Sequence, residues 1–151
     1  MDKISSLTGM LDLISSKSDL NEYSNRVIAT EDNLKDIFRN FSYSEIRTPA
    51  LENSNLFKRS VGDTSDIVNK ELYTFTDKND KSISLRPEGT ASVIRSVIEK
   101  KLDSETHKLW YLGPMWRYER PQKGRFRQFN QAGIEILGFK EGPPELSLIH
   151  I

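Results

Sequence analysis

Two extended runs dominate the middle of the chain. LWYLGPMWRYE covers Leu109 to Glu119 and RFRQFNQAGIEIL covers Arg125 to Leu137. The loop between them, Arg120-Pro121-Gln122-Lys123-Gly124, carries the proline and glycine that a longer hairpin connection uses. Side chains on a strand alternate between faces. Arg125, Arg127, Phe129, Gln131, Gly133 and Glu135 therefore share one face of the second run. Phe126, Gln128, Asn130, Ala132, Ile134 and Ile136 share the other, which turns apolar toward its end, as a face packed on helices does. On the first run Arg117 and Glu119 lie opposite Trp110, Leu112, Pro114, Trp116 and Tyr118.

A polar face this dense is costly to bury without a partner. Ordinary solvated surface charge is the simplest account of a basic hairpin. The order Arg-x-Glu, loop, Arg-x-x-x-Phe argues for a nucleotide instead. Guanidiniums bind phosphate oxygens through charge-assisted hydrogen bonds worth ~1.5–3 kcal/mol each. Phe129 offers a plane for a base, and Glu119 can accept from an exocyclic amine.

The 151 residues suit one domain. Basic and acidic residues balance at 22 each, which excludes the footprint of a general nucleic-acid binder. The charge is uneven, however. Lys108, Arg117, Arg120, Lys123, Arg125 and Arg127 face Glu119 alone, a patch sized for a nucleotide or an RNA end. There is no cysteine, so disulfides and thiolate metal sites are excluded, and no metal site is expected. No stretch is apolar enough to span a membrane, and Met1 to Met10 does not read as a signal peptide. A cytoplasmic protein is expected.

Apolar positions at helical spacing predict a helix over Asp19–Phe41, with Ser18 or Asp19 as cap. Ser44 to Pro49 reads as a strand ending at its proline. Asn53 to Gly62 suits a short helix, Val61 to Glu71 a polar loop, and Leu72 to Phe75 and Ser82 to Arg86 a strand pair. Leu85-Arg86-Pro87-Glu88-Gly89-Thr90 then turns a strand into a helix. Glu88 at that corner suits either a cleft-facing carboxylate or helix-entry chemistry, where an acid is favourable by ~0.3–1 kcal/mol. His107 and His150 stand alone and read as surface histidines.

GPMWRYERPQKGRFRQFNQ resembles motif 2 of class II aminoacyl-tRNA synthetases, in the version found in histidyl-tRNA synthetases. LRPEGT, Leu56-Phe57-Lys58-Arg59 and Gly9-Met10-Leu11-Asp12 resemble that family too, although Ile14-Ser15-Ser16 replaces its proline-containing turn. The long helix followed by Ser44–Pro49 looks like motif 1. The resemblance implies an α+β fold, a mostly antiparallel sheet flanked by helices and cut short. It implies that residues 1–145 are the N-terminal part of a catalytic domain. It implies ATP as substrate, with Mg²⁺, and Arg117 on the α-phosphate as the catalytic residue. Glu119 would meet the adenine amine or the tRNA end, Arg125 the γ-phosphate, and Phe129 would stack under adenine. Glu88, Thr90 and Gln131 would bind the ammonium of histidine, and Glu135 its ring. The family often has His at Asn130, which parity puts on the opposite face. The implied partners are histidine, tRNA(His) and a second copy of the chain, docked through motif 1.

The implied reaction is activation of histidine by ATP and transfer to tRNA. Motif 3, the later histidine-specific segment and an anticodon-binding domain do not appear, so this segment alone is expected to show little or no adenylation. Residues 146–151 (LSLIHI) read as a foreign tail, because the codons of a transposon end used in sequencing adapters translate to them. Two other readings compete. One is the synthetase-like, histidine-sensing regulatory subunit of ATP phosphoribosyltransferase, which the intact Arg117, Glu119, Arg125 and Phe129 set disfavours. The other is a proline or threonine synthetase, disfavoured by Glu88 with Gln131 and Glu135.

Overall fold

The computed structural model describes residues 4–15, 22–62, 65–102 and 104–138. The proposed cap at Ser18 or Asp19, His150 and the tail 146–151 lie outside them. A long helix, α1 (Glu22–Asn40), leads into a two-residue strand, β1 (Ser44–Glu45). Strand β2 (Leu51–Asn53) then runs straight into helix α2 (Ser54–Val61), followed by a short π-helical turn over Ile67–Glu71. Strands β3 (Thr74–Thr76) and β4 (Ser82–Leu85) precede helix α3 (Thr90–Glu99). The chain closes on two ten-residue strands, β5 (His107–Trp116) and β6 (Gln128–Leu137).

The strands form two small sheets, ordered β1-β5-β6 and β2-β4-β3. Every pair is antiparallel except β1 with β5. The expected hairpin is present: β5 and β6 pair from His107–Leu137 to Trp116–Gln128. Helices cover both of its faces. Phe38 of α1 lies 5.3 Å from Trp110 on the even face, and Asn130 on that face bonds to Glu31 of α1. Val93 and Val97 of α3 pack with Tyr111 and Met115 on the odd face, where Leu109, Phe129 and Leu137 join them. The face expected to be polar is thus an apolar core along most of its length, and polar only around its end and its contact with the head of α3.

Three elements differ from expectation. β1 stops well before Pro49, although Ile46 still donates to the Trp110 carbonyl. The carbonyl and hydroxyl of Thr48 go to the Arg86 guanidinium, at 2.7 and 3.0 Å, rather than to a ladder. Val61 to Glu71 is not all loop: Ser65 Oγ accepts from Val68 N–H and an Asp66–Lys70 ion pair of 2.8 Å spans the π-helical turn. His107 is no surface histidine. It is half-buried, with its ring nitrogen 2.8 Å from the Leu102 carbonyl.

The small sheet is tied to the rest by polar groups. Buried hydroxyls of Ser54 and Ser84 meet at 2.8 Å, and Thr74 and Ser82 extend the chain of hydroxyls. Buried Glu52 pairs with Arg95 of α3 at 2.7 Å. Asn53 caps α2, its side chain accepting from Asn55 N–H at 2.9 Å. Asn53→Ala removes that acceptor and is expected to lower stability by about 1 kcal/mol. A urea titration checks this through a lower midpoint at unchanged slope.

Candidate active site

The neck of the hairpin is pinned from several sides. Beyond the last ladder pair, Arg117 N–H donates to the Arg127 carbonyl at 2.9 Å, and Trp116 Nε1 donates to Gln128 Oε1 at 3.1 Å. Tyr118 N–H donates to the Glu71 carbonyl at 2.7 Å, so the π-helical turn braces one side. The lead-in braces the other: the Gly9 carbonyl accepts from Arg127 and Gln128 N–H, at 2.7 and 3.2 Å. Gly9 has φ +80°, and a Cβ there would sit 3.0 Å from Arg127 Cγ. The connecting loop ends in a turn closed by Gln122 and Arg125, with Gly124 at φ +80°.

On this neck sit four of the expected residues. The Arg117 guanidinium lies over the Phe129 ring, 5.2 Å from its centroid, and its Nε donates to the Pro87 carbonyl at 3.0 Å. One side of Phe129 is therefore occupied by Arg117, and the ring also packs against the core. Glu119 is largely buried. Its carboxylate lies 4.0 Å from Arg117 and 3.2 Å from Arg125. The Arg125 contact is an ion pair without hydrogen-bond alignment, so buried Glu119 Oε2 has no hydrogen-bond partner among the described residues. Its charge is met by Arg125, and its hydrogen-bonding capacity is left for a further donor. Arg127 supports the others: its Nε donates to the Glu119 carbonyl at 3.1 Å, and its guanidinium stacks on Tyr118 at 4.0 Å.

The other four meet at the head of α3. Glu88 is half-buried and accepts from Thr90 N–H at 2.7 Å and Ala91 N–H at 2.9 Å. That is helix-entry chemistry, and it aims the N-terminal turn. Gln131 Oε1 accepts from Gly89 N–H at 3.0 Å. The Thr90 hydroxyl donates to Glu135 Oε1 at 2.7 Å. Burial holds the Glu135 carboxyl above its usual range and the Glu88 charge adds to this, while the Thr90 hydrogen bond opposes it. Two carboxylates crowded together favour a cationic or N–H-donating ligand. A groove of about 1150 Å³ between α2 and α3 reaches Glu88 and Thr90. Neither Arg117 nor Phe129 lines it.

The two groups adjoin, since Pro87, which receives Arg117, precedes Glu88. Three residues that the sequence reading left without a role belong here. Arg86 ties β5 to the segment after β1, donating to the Pro114 carbonyl and to Thr48. Arg127 staples the neck, and Tyr111 is buried beneath Thr90 and Glu135. In the observed register an aromatic, Tyr111, faces a glycine, Gly133.

A long antiparallel hairpin covered by helices gives the chain an α+β, class II synthetase-like fold. The family model for histidyl-tRNA synthetase matches residues 18–151. A chloroplastic histidine–tRNA ligase of Gracilaria tenuistipitata var. liui is 60% identical over 111 residues, covering 73% of this chain and 26% of that protein. The apo S. aureus histidyl-tRNA synthetase superposes with a TM-score of 0.68 at 38% identity, covering 91% of this chain and 30% of that one. A Bacillus halodurans protein described as an ATP phosphoribosyltransferase regulatory subunit/histidyl-tRNA synthetase gives 0.67 at 25% identity, covering 87% and 32%. The chain belongs to the histidyl-tRNA synthetase family. It spans about a quarter to a third of the length of these relatives.

Proposed function

We propose that this chain is the first part, residues 1–145, of the catalytic domain of a histidine–tRNA ligase, acting in the cytoplasm as a homodimer. The observation that carries the reading is the adjacency of the two clusters through the Arg117–Pro87 contact. Glu88, Thr90, Gln131 and Glu135 would take histidine, with Glu135 on the ring and the other three around the ammonium. Arg117 would hold the α-phosphate of ATP, Arg125 the γ-phosphate, and Phe129 the adenine. Glu119, whose carboxylate lies between Arg117 and Arg125, would accept from the adenine amine.

In the activation step the histidine carboxylate attacks the α-phosphorus, forming histidyl-adenylate and releasing pyrophosphate. The acyl group then passes to the 3′ end of tRNA(His). This segment supplies no covalent nucleophile to either step; it orients the reactants and compensates phosphate charge. Mg²⁺ would neutralise further phosphate charge. The exposed Tyr23, Ile37 and Phe41 of and just beyond α1 suit the dimer contact.

Thermal stabilisation tests substrate choice. Histidinol with ATP is expected to raise the melting temperature and prolinol to leave it unchanged; the reverse would sink the reading. The regulatory-subunit alternative draws on the Bacillus halodurans likeness. The complete Arg117, Glu119, Arg125 and Phe129 set favours the ligase. DNA sequence beyond codon 145 in the source genome separates them. A frame running into a glycine-rich motif 3 and an anticodon-binding domain supports the ligase and a foreign tail at 146–151. A frame ending after a catalytic-like domain supports the regulator.

A further inference from the structure

The ladder of the hairpin is interrupted just past its last pair, Trp116 with Gln128. Arg117 and Arg127 stand next, and a full rung between them would exchange two bonds. Arg117 N–H does donate to the Arg127 carbonyl, at 2.9 Å. The Arg127 N–H goes elsewhere, to the Gly9 carbonyl at 2.7 Å, and Gln128 N–H shares that carbonyl at 3.2 Å. The Arg117 carbonyl is thereby left to accept from Glu119 N–H at 2.8 Å, which closes a three-residue turn about Tyr118. The turn brings the Glu119 carboxylate back to 4.0 Å from the Arg117 guanidinium. Arg127 holds the same turn from outside, its Nε donating to the Glu119 carbonyl at 3.1 Å.

Gly9 stands third in a tight turn of its own, closed by Met10 N–H on the Leu7 carbonyl at 3.0 Å. At φ +80° it is in left-handed territory, and a Cβ there would lie 3.0 Å from Arg127 Cγ and 3.1 Å from Arg127 N. Its carbonyl spends both lone pairs on the neck. Leu7, Leu11 and Ile14 around it are exposed, so a crowded turn would lift away from the neck before the neck left the hairpin. We propose that Gly9 is a positioning residue for the nucleotide cluster. Its carbonyl replaces that of Arg117 in the ladder, and the carbonyl so released makes the turn that sets Glu119 beside Arg117. A segment 118 positions away in the chain, roughly the span from one end of the fold to the other, thus shapes the site. This rests on the ATP reading of that cluster.

The test is Gly9→Ala in the whole chain, beside Gly62→Ala. Gly62, at φ +94°, has nothing within 4 Å of its Cβ position, so that variant carries backbone strain without the contact. Amide hydrogen exchange read by NMR follows Arg127, Gln128 and Glu119 without any ligand. Calorimetry measures the binding of ATP with Mg²⁺ and of histidinol. In Gly9→Ala all three amides are expected to exchange roughly tenfold faster or more. ATP affinity is expected to fall roughly three- to tenfold, with histidinol affinity unchanged. Gly62→Ala should leave the three amides and ATP affinity as they were; equal effects there would trace the change to lost stability and overturn the proposal. It is also overturned if Glu119 keeps its protection while Arg127 and Gln128 lose theirs, or if the amides move and ATP affinity does not. Should Gly9→Ala not fold, Gly9→Asn brings the same Cβ on a residue that tolerates positive φ better, and the same outcomes decide. If the amides move as expected but ATP fails to bind even the unmodified chain, the clasp stands and the ATP reading falls.

Discussion

Gly133→Ala is expected to destabilise the folded chain by about 1–3 kcal/mol, far more than a methyl group on a strand usually costs. The new Cβ would meet Tyr111 at 2.3 Å from Cζ and 2.4 Å from the hydroxyl oxygen. A flexible side chain could swing aside. Tyr111 cannot, because Gly89 lies against the opposite edge of the ring, with a Cβ position 2.2 Å from Cε2. The ring is held between two backbones, and relief requires β6 or the head of α3 to shift. Either shift would disturb Gln131, Glu135 or Thr90, so ligand binding should fall along with stability. Urea unfolding measures the loss. Combined with Tyr111→Ala, the added methyl should cost little, a strong non-additivity that marks the ring as the cause. Additive losses would show that the strain lies elsewhere.

Arg117→Ala is expected to lower histidine-dependent pyrophosphate exchange by roughly a hundred- to a thousandfold, in a chain extended to the length of its relatives. The side chain does three things. It brings positive charge to the neck, it covers one side of Phe129, and its Nε is anchored on the Pro87 carbonyl. An anchored fork of this kind is what the proposed phosphate contact needs, since little would have to move as charge develops. Lysine keeps the charge but not the planar fork, the stacking or the Nε donor. Arg117→Lys should therefore recover only a small part of the loss. The effect belongs in the rate constant more than in the KM for histidine, since Arg117 reaches the cluster proposed for histidine only through Pro87. A loss under threefold for alanine would remove Arg117 from the reaction.

Much of this was legible from the order of residues. Period-two alternation sorted the residues of the hairpin into two faces and put Asn130 opposite Gln131 and Glu135; Asn130 meets α1, and the other two reach the head of α3. Proline and glycine marked the loop. What stayed hidden depends on contacts between distant segments. Nothing local in Arg47-Thr48-Pro49 says that Arg86 will take the groups a strand ladder needs. The π-helical turn draws on an ion pair and a serine cap that look like ordinary loop polarity in a sequence. Alternation also says what shares a face but not what covers it, so α3 packing on the odd face could not be read. The individual roles of the site residues are chemical proposals, and the distances above give each of them a neighbour to lose.

Among the described residues, β6 has β5 on one side and no strand on the other. Ten residues long and free of proline, it presents a row of backbone donors and acceptors at regular spacing. Such a strand has a valence of one. Under dilution it is satisfied by water. In a crowded solution a second molecule can supply the missing ladder, so the yield of this chain should be governed by its concentration during refolding as much as by its melting temperature.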